Sequence, residues 1–163
     1  MELHGRLRRL PLASLMLVAL LAILSLATAP SESVPSARPL LAGAQVDLGV
    51  LAILRRSCQD CHSESTSYPW YSYVAPVSFL IRSDVNSGRR HLNFSRWDEY
   101  PLQRKERCLT EIANQIKDGD MPLWQYALVH RDARLSVADV NAVFQWTQME
   151  RSRLIAENST GLR

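Results

Sequence analysis

The chain has 163 residues, enough for one domain with its own core, and 47% of them are hydrophobic against 21% charged. The formal charge of +3 falls to +1 once the N-terminal stretch with Glu2, Arg6, Arg8 and Arg9 is set aside, too little to draw the protein to nucleic acid. Three cysteines are too few for a disulfide scaffold.

Residues 1–29 read as an export segment. Arg6, Arg8 and Arg9 precede an apolar run from Leu12 to Leu26, and Ala27-Thr28-Ala29 has the small-residue pattern of a cleavage site. Pro30 would follow the cut, where signal peptidases work poorly, and the apolar stretch from Leu10 to Ala29 is long enough to span a bilayer. The segment is therefore expected to be either a signal peptide or an uncleaved membrane anchor. Either one places the remainder across the membrane, in the periplasm. Residues 30–44, rich in proline and serine, read as a disordered linker, 45–155 as the domain proper and 156–163 as a tail.

Val46, Val50, Ile53 and Leu54 recur at helical spacing, so a helix is expected over Asp47–Ser57. It leads into Cys58-Gln59-Asp60-Cys61-His62. Two cysteines three apart lie about one helical turn from each other, so both sulfurs can face one ligand. The histidine that follows brings an imidazole to the same place. Cys-x-x-Cys-His in this order is the attachment pattern of haem c, with two thioethers and a proximal iron ligand. A zinc site would need further ligands at matching spacing, and the remaining cysteine, Cys108, is distant. A dithiol redox site would want a strand and a βαβ setting, which the sequence does not offer.

The aromatic stretch Tyr68–Tyr73 reads as a loop wrapped over something apolar. Pro76 then opens a helix with Val77, Leu80, Ile81 and Val85 inward and Gly88 at its C′ position. The Pro76 carbonyl is a candidate acceptor for the ring N–H of His62. Residues 89–100 read as irregular. Pro101 opens a helix with Leu102, Leu109, Ile112, Ala113 and Ile116 inward, closed by Gly119, and Cys108 on it is expected to be half-buried. Met121–Arg134 reads as a loop, and Ser136 with Asp139 caps a last helix carrying Val140, Val143, Phe144 and Trp146 or Thr147.

Met121, stiffened by Pro122, is the candidate second iron ligand, since a thioether favours ferrous iron. His91 and His130 compete for that place. Tyr71, Pro76 and Trp124 complete the expected cofactor-binding set. The expected architecture is all-α and cytochrome-c-like, about four helices around one covalent haem.

Several motifs in fixed order support this reading: Cys58–Ser63, Tyr68-Pro69-Trp70-Tyr71-Ser72, Ala75-Pro76-Val77-Ser78, Asp84-Val85, Gly88-Arg89, His91–Ser95, Gly119-Asp120-Met121-Pro122-Leu123-Trp124 and His130–Ser136. Together, over residues 45–150, they resemble the bacterial haem-binding-domain family of exported, cytochrome-c-like proteins. The resemblance implies a periplasmic monohaem protein. Class I cytochromes c are a looser likeness, and their glycine-rich loop after the motif is replaced here by the aromatic stretch. The function expected first is electron transfer with redox partner proteins of unknown identity. The alternatives are a haem enzyme of peroxidase type or a gas or redox sensor with an open distal site, and a haem module anchored in the membrane through residues 10–29.

Overall fold

The structure, a computed structural model, describes residues 12–30 and 38–161. Among them are seven α-helices, three 3-10 segments and no strand. The all-α expectation holds, with more helices than the four expected. The basic stretch Arg6–Arg9, Leu10 and residues 31–37 of the expected linker lie outside the described residues.

Two compact units are present. The first combines α1 (Leu12–Thr28) with residues 68–84. α1 carries no charged residue and packs against the 3-10 turn Trp70–Tyr73. Two hydroxyls fasten its end: the Ser25 Oγ accepts from the Ala75 N–H at 2.9 Å, and the Thr28 and Ser78 hydroxyls meet at 2.6 Å. No helix among the described residues is long and apolar enough to cross a membrane. α4 (Val77–His91) starts in this unit, directly after Pro76.

The second unit holds residues 38–67 and 85–161. α2 (Leu48–Ser57) starts where the Asp47 carboxylate accepts from the Val50 N–H at 2.9 Å. Cys58, at φ −128°, breaks it from the short α3 (Gln59–His62). α5 (Leu102–Asp118) ends on Gly119 at φ 76°, the left-handed conformation that glycine adopts without strain. It packs along α7 (Val137–Gly161), and α2 packs on α7 as well. Ser136 and Asp139 form the expected capping pair, with the Ser136 Oγ accepting from the Asp139 N–H at 3.1 Å and the Asp139 carboxylate from the Ser136 N–H at 2.8 Å.

The core joins Leu54, Phe94, Trp97, Leu109, Val143 and Trp146, all essentially without solvent contact. Burying an apolar side chain of this size contributes about 1.5–3 kcal/mol. Cys108 is also fully buried rather than half-buried.

Further expectations are corrected, among them the inward place of Leu80, which is 50% exposed. α4 runs through Gly88 to His91, so Gly88 is not its C′ residue. The stretch Met121–Arg134 contains α6 (Trp124–Val129) and a 3-10 turn, a helix too short to show a period. The last described residues of the expected tail, 156–161, continue α7. Within the expected linker, Leu40, Leu41 and Ala44 pack into the core. Leu41 is buried at φ 57°, and its N–H donates to the Phe94 carbonyl at 3.0 Å. Beside it the buried Glu150 carboxylate accepts from the Gln45 N–H at 3.2 Å and from Arg153, while Trp146 Nε1 donates to the Gln45 carbonyl at 2.9 Å.

Candidate haem site

α2 carries the motif into place. The Cys58 N–H closes on the Leu54 carbonyl at 3.0 Å, and the His62 N–H on the Cys58 carbonyl at 2.9 Å. The three motif side chains thus occupy one tight turn. Neither cysteine is in a disulfide, and both are half-buried. Burial, and secondarily the neighbouring Cys61, pushes the Cys58 thiol up to about 12. It is therefore a protonated thiol at neutral pH, unlike the activated thiolate of a dithiol redox site.

The proximal side is built by the end of α4. His62 Nδ1 lies 3.1 Å from the Leu92 carbonyl oxygen. A neutral ring with its proton on Nδ1 donates to that carbonyl and leaves Nε2 with a free lone pair, the tautomer a metal ligand needs. Burial holds the His62 pKa below its ordinary value, against the upward pull of the Leu92 and Gly88 carbonyls. Phe94 packs on the ring, with centroids 6.0 Å apart. Leu92 here takes the part expected of Pro76, because α4 continues past Gly88 and carries this carbonyl to the ring. The Pro76 carbonyl instead accepts from the Phe79 N–H at 3.2 Å, starting α4.

Gly88 makes that placement possible. A Cβ on it would stand 2.5 Å from the Cys61 carbonyl oxygen. Arg89, next along, donates from Nε to the Ser63 carbonyl and from Nη2 to the Thr66 hydroxyl, both at 2.8 Å. Thr66 in turn donates to the Asp60 carbonyl at 2.6 Å. Glu64 accepts from Arg96 at 2.6 Å and from Asn93 at 3.3 Å. The chain leaving the motif is thereby held on both sides.

On the other flank the Tyr126 phenol donates to Asp60 Oδ2 at 2.7 Å, and the Ser67 N–H reaches Asp60 Oδ1 at 2.9 Å. Burial, then the Asp60 carboxylate, keeps the phenol protonated far above its ordinary range. Tyr126 stacks on His130 at 4.2 Å. This bond ties α6 to the residues between the two cysteines.

The remaining predicted residues are placed as follows. Met121 is half-buried in the turn after Gly119, with its N–H on the Gln115 carbonyl at 3.2 Å. Trp124 is exposed at the start of α6. Tyr71 and Pro76 belong to the first unit, Tyr71 lying edge-on to Trp70 with centroids 5.8 Å apart. His91 is exposed, its Nδ1 2.8 Å from the Ser87 carbonyl. Gly88, Leu92, Arg89, Asp60 and Tyr126 are site residues that the sequence did not single out for these roles.

These residues fit a haem. Cys58, Cys61 and the Nε2 of His62 form a thiol, thiol and imidazole donor set. Ser57, directly before Cys58, buries an Oγ that has no partner among the described residues.

The chain is 25% identical over 115 residues to the cytochrome c peroxidase Ccp of Escherichia coli (strain K12), a match covering 68% of this chain and 25% of that protein. It thus spans about a quarter of the length of that curated relative. No solved structure matches it. The model of the haem-binding domain matches residues 16–149, and the chain belongs to this haem-binding domain family.

Proposed function

We propose that the protein is an exported monohaem c-type cytochrome that transfers electrons in the periplasm. The haem is held covalently through Cys58 and Cys61, with His62 as proximal and Met121 as distal ligand. The observation that carries this reading is the His62 ring, fixed through Nδ1 on the Leu92 carbonyl at 3.1 Å and directly following Cys58 and Cys61, neither of them in a disulfide. Bound there, haem supplies one-electron chemistry. The chain's own part is to orient the imidazole, keep it neutral by burial, and hold the polypeptide after the motif through Arg89, Asp60 and Glu64. Redox partner proteins, of unknown identity, are the expected partners.

The test is covalency. A denaturing gel of the holo-protein stained for haem should show a band, and Cys58→Ala with Cys61→Ala should abolish it. A band that survives the double change overturns covalent attachment through this motif.

The similarity to a cytochrome c peroxidase favours a second reading, a haem enzyme of peroxidase type or a sensor with a displaceable distal ligand. His91 or His130 would then serve as distal acid–base groups. Ferric wild type that is high-spin and binds cyanide rapidly selects this reading. Low-spin wild type selects the electron carrier.

A further inference from the structure

We propose that α1 is retained in the mature protein, and that α1 and the stretch 68–81 together form one lipid-facing surface. This goes beyond the haem reading and does not depend on it.

The first observation is how α1 ends. Thr28 and Ser78 are 6% and 1% exposed and share a hydrogen bond, while the Ser25 hydroxyl takes up the N–H of Ala75. A cut after Ala29 would remove Ser25 and Thr28. It would leave the buried Ser78 hydroxyl and the Ala75 N–H without these partners, and burying unpaired polar groups is costly. A disposable leader has no reason to satisfy polar groups of the domain it leaves. The second observation is independent: the haem-binding domain match starts at residue 16, inside α1, so the family pattern includes most of this helix.

The third observation is the surface. No Asp, Glu, Lys or Arg occurs over 68–81, nor in α1. Trp70 is 78% exposed, Leu80 50% and Phe79 46%, and on α1 Leu26 is 82% and Ile23 63% exposed. Such a concentration of exposed apolar groups marks an interaction surface. Its chemistry selects a bilayer over a second copy of the chain. α1 is apolar around its whole circumference, whereas a partner helix would cover one stripe. Trp70, Tyr71 and Tyr73, beside the helix end, are the aromatic types that settle at the headgroup level. The cations Arg6, Arg8 and Arg9 precede the apolar run in sequence and suit anionic headgroups.

The experiment expresses the full chain in a bacterium that attaches haem c. The mature N-terminus is sequenced, and the holo-protein is floated with vesicles of phosphatidylcholine and phosphatidylglycerol. Retention of α1 and co-flotation are expected. Trp70→Glu with Leu80→Glu should lower vesicle partitioning at least tenfold while leaving the haem spectrum unchanged. Leu48→Glu, an exposed apolar site in the other unit, should not. A mature chain that begins at Pro30 overturns retention. Partitioning unmoved by the Trp70 and Leu80 changes overturns the lipid-facing role of 68–81. So does a stable dimer that protects this stretch from hydrogen exchange without vesicles.

Discussion

Gly88 lies so close to Cys61 that a Cβ on the glycine would stand 2.5 Å from the cysteine's carbonyl oxygen and 3.2 Å from its Cβ. This approach seats the end of α4 against the motif and brings the Leu92 carbonyl to the His62 ring. It gives Gly88→Ala a diagnostic sign. In a helix interior, alanine is favoured over glycine by about 1 kcal/mol. Here the overlap is with backbone, which has little freedom to yield, and overpacking of this kind costs about 1–3 kcal/mol. Net destabilisation of the holo-protein in urea is expected, together with a higher reduction potential as the bond to His62 lengthens and the imidazole loses basicity. A variant more stable than wild type would show that α4 does not press on the motif.

Tyr126→Phe removes the phenol that donates to Asp60 at 2.7 Å. The bond has an ionised acceptor and is partly buried, so the loss is expected at about 1.5–2 kcal/mol. Asp60→Asn keeps an acceptor oxygen and should cost less. A double-mutant cycle in urea checks the coupling, and additive single changes would show that the contact contributes nothing.

Much of this architecture is legible in the sequence where the signal is local. The period in α2, α5 and α7, the Ser136 cap and the Gly119 stop each depend on residues within a few positions. The motif itself announces the haem chemistry. Gly88 is misread because glycine is commonest just past a helix end, while its use here is set by Cys61, remote in sequence. The Leu92 acceptor is a backbone carbonyl, which every residue has, so no side chain marks it. Tyr126 and Asp60 meet only through tertiary structure, and Leu41 looks like linker because its neighbours are small residues and prolines.

The Glu64 carboxyl sits below its usual range, chiefly through the hydrogen bond from Arg96. The folded state therefore holds the charged form more tightly than the unfolded chain does. Its contribution is fully present above the ordinary glutamate value of 4.5 and is lost as pH falls through the lower folded value. Glu64→Gln should flatten the stability profile in that acid window and leave the slope above pH 6 unchanged. Denaturant midpoints across pH 3–7 for both proteins check it. Parallel profiles would show that the pair is fully screened by solvent.

Cys108 is buried in α5, and burial raises its thiol pKa. If the other two cysteines are bonded to haem as proposed, native holo-protein should react slowly with a thiol reagent and rapidly once unfolded. The ratio of the two rates, read by mass spectrometry, reports the opening of the α5–α7 interface. Rapid native labelling, or a disulfide-linked dimer on non-reducing gels, would contradict this burial.

The distal ligand decides between the two functional readings. Met121 occupies a turn anchored at both ends: its N–H and that of Asp120 share the Gln115 carbonyl, and α6 beyond it is tied to the motif through Tyr126 and Asp60. If its thioether binds iron, Met121→His keeps the haem low-spin and lowers the potential, since imidazole favours ferric iron more than a thioether does. Met121→Ala opens the site, so the ferric protein turns high-spin and carbon monoxide binds quickly to the ferrous form. Tyr126→Phe, by loosening the same stretch, should raise the carbon monoxide on-rate without changing the resting spectrum. His91→Ala and His130→Ala should leave the ligand field intact, because His91 is exposed with its ring on the Ser87 carbonyl and His130 is stacked on Tyr126. If Met121→Ala is spectrally silent while a histidine change yields high-spin haem, ligation is bis-histidine and Met121 only fills the turn.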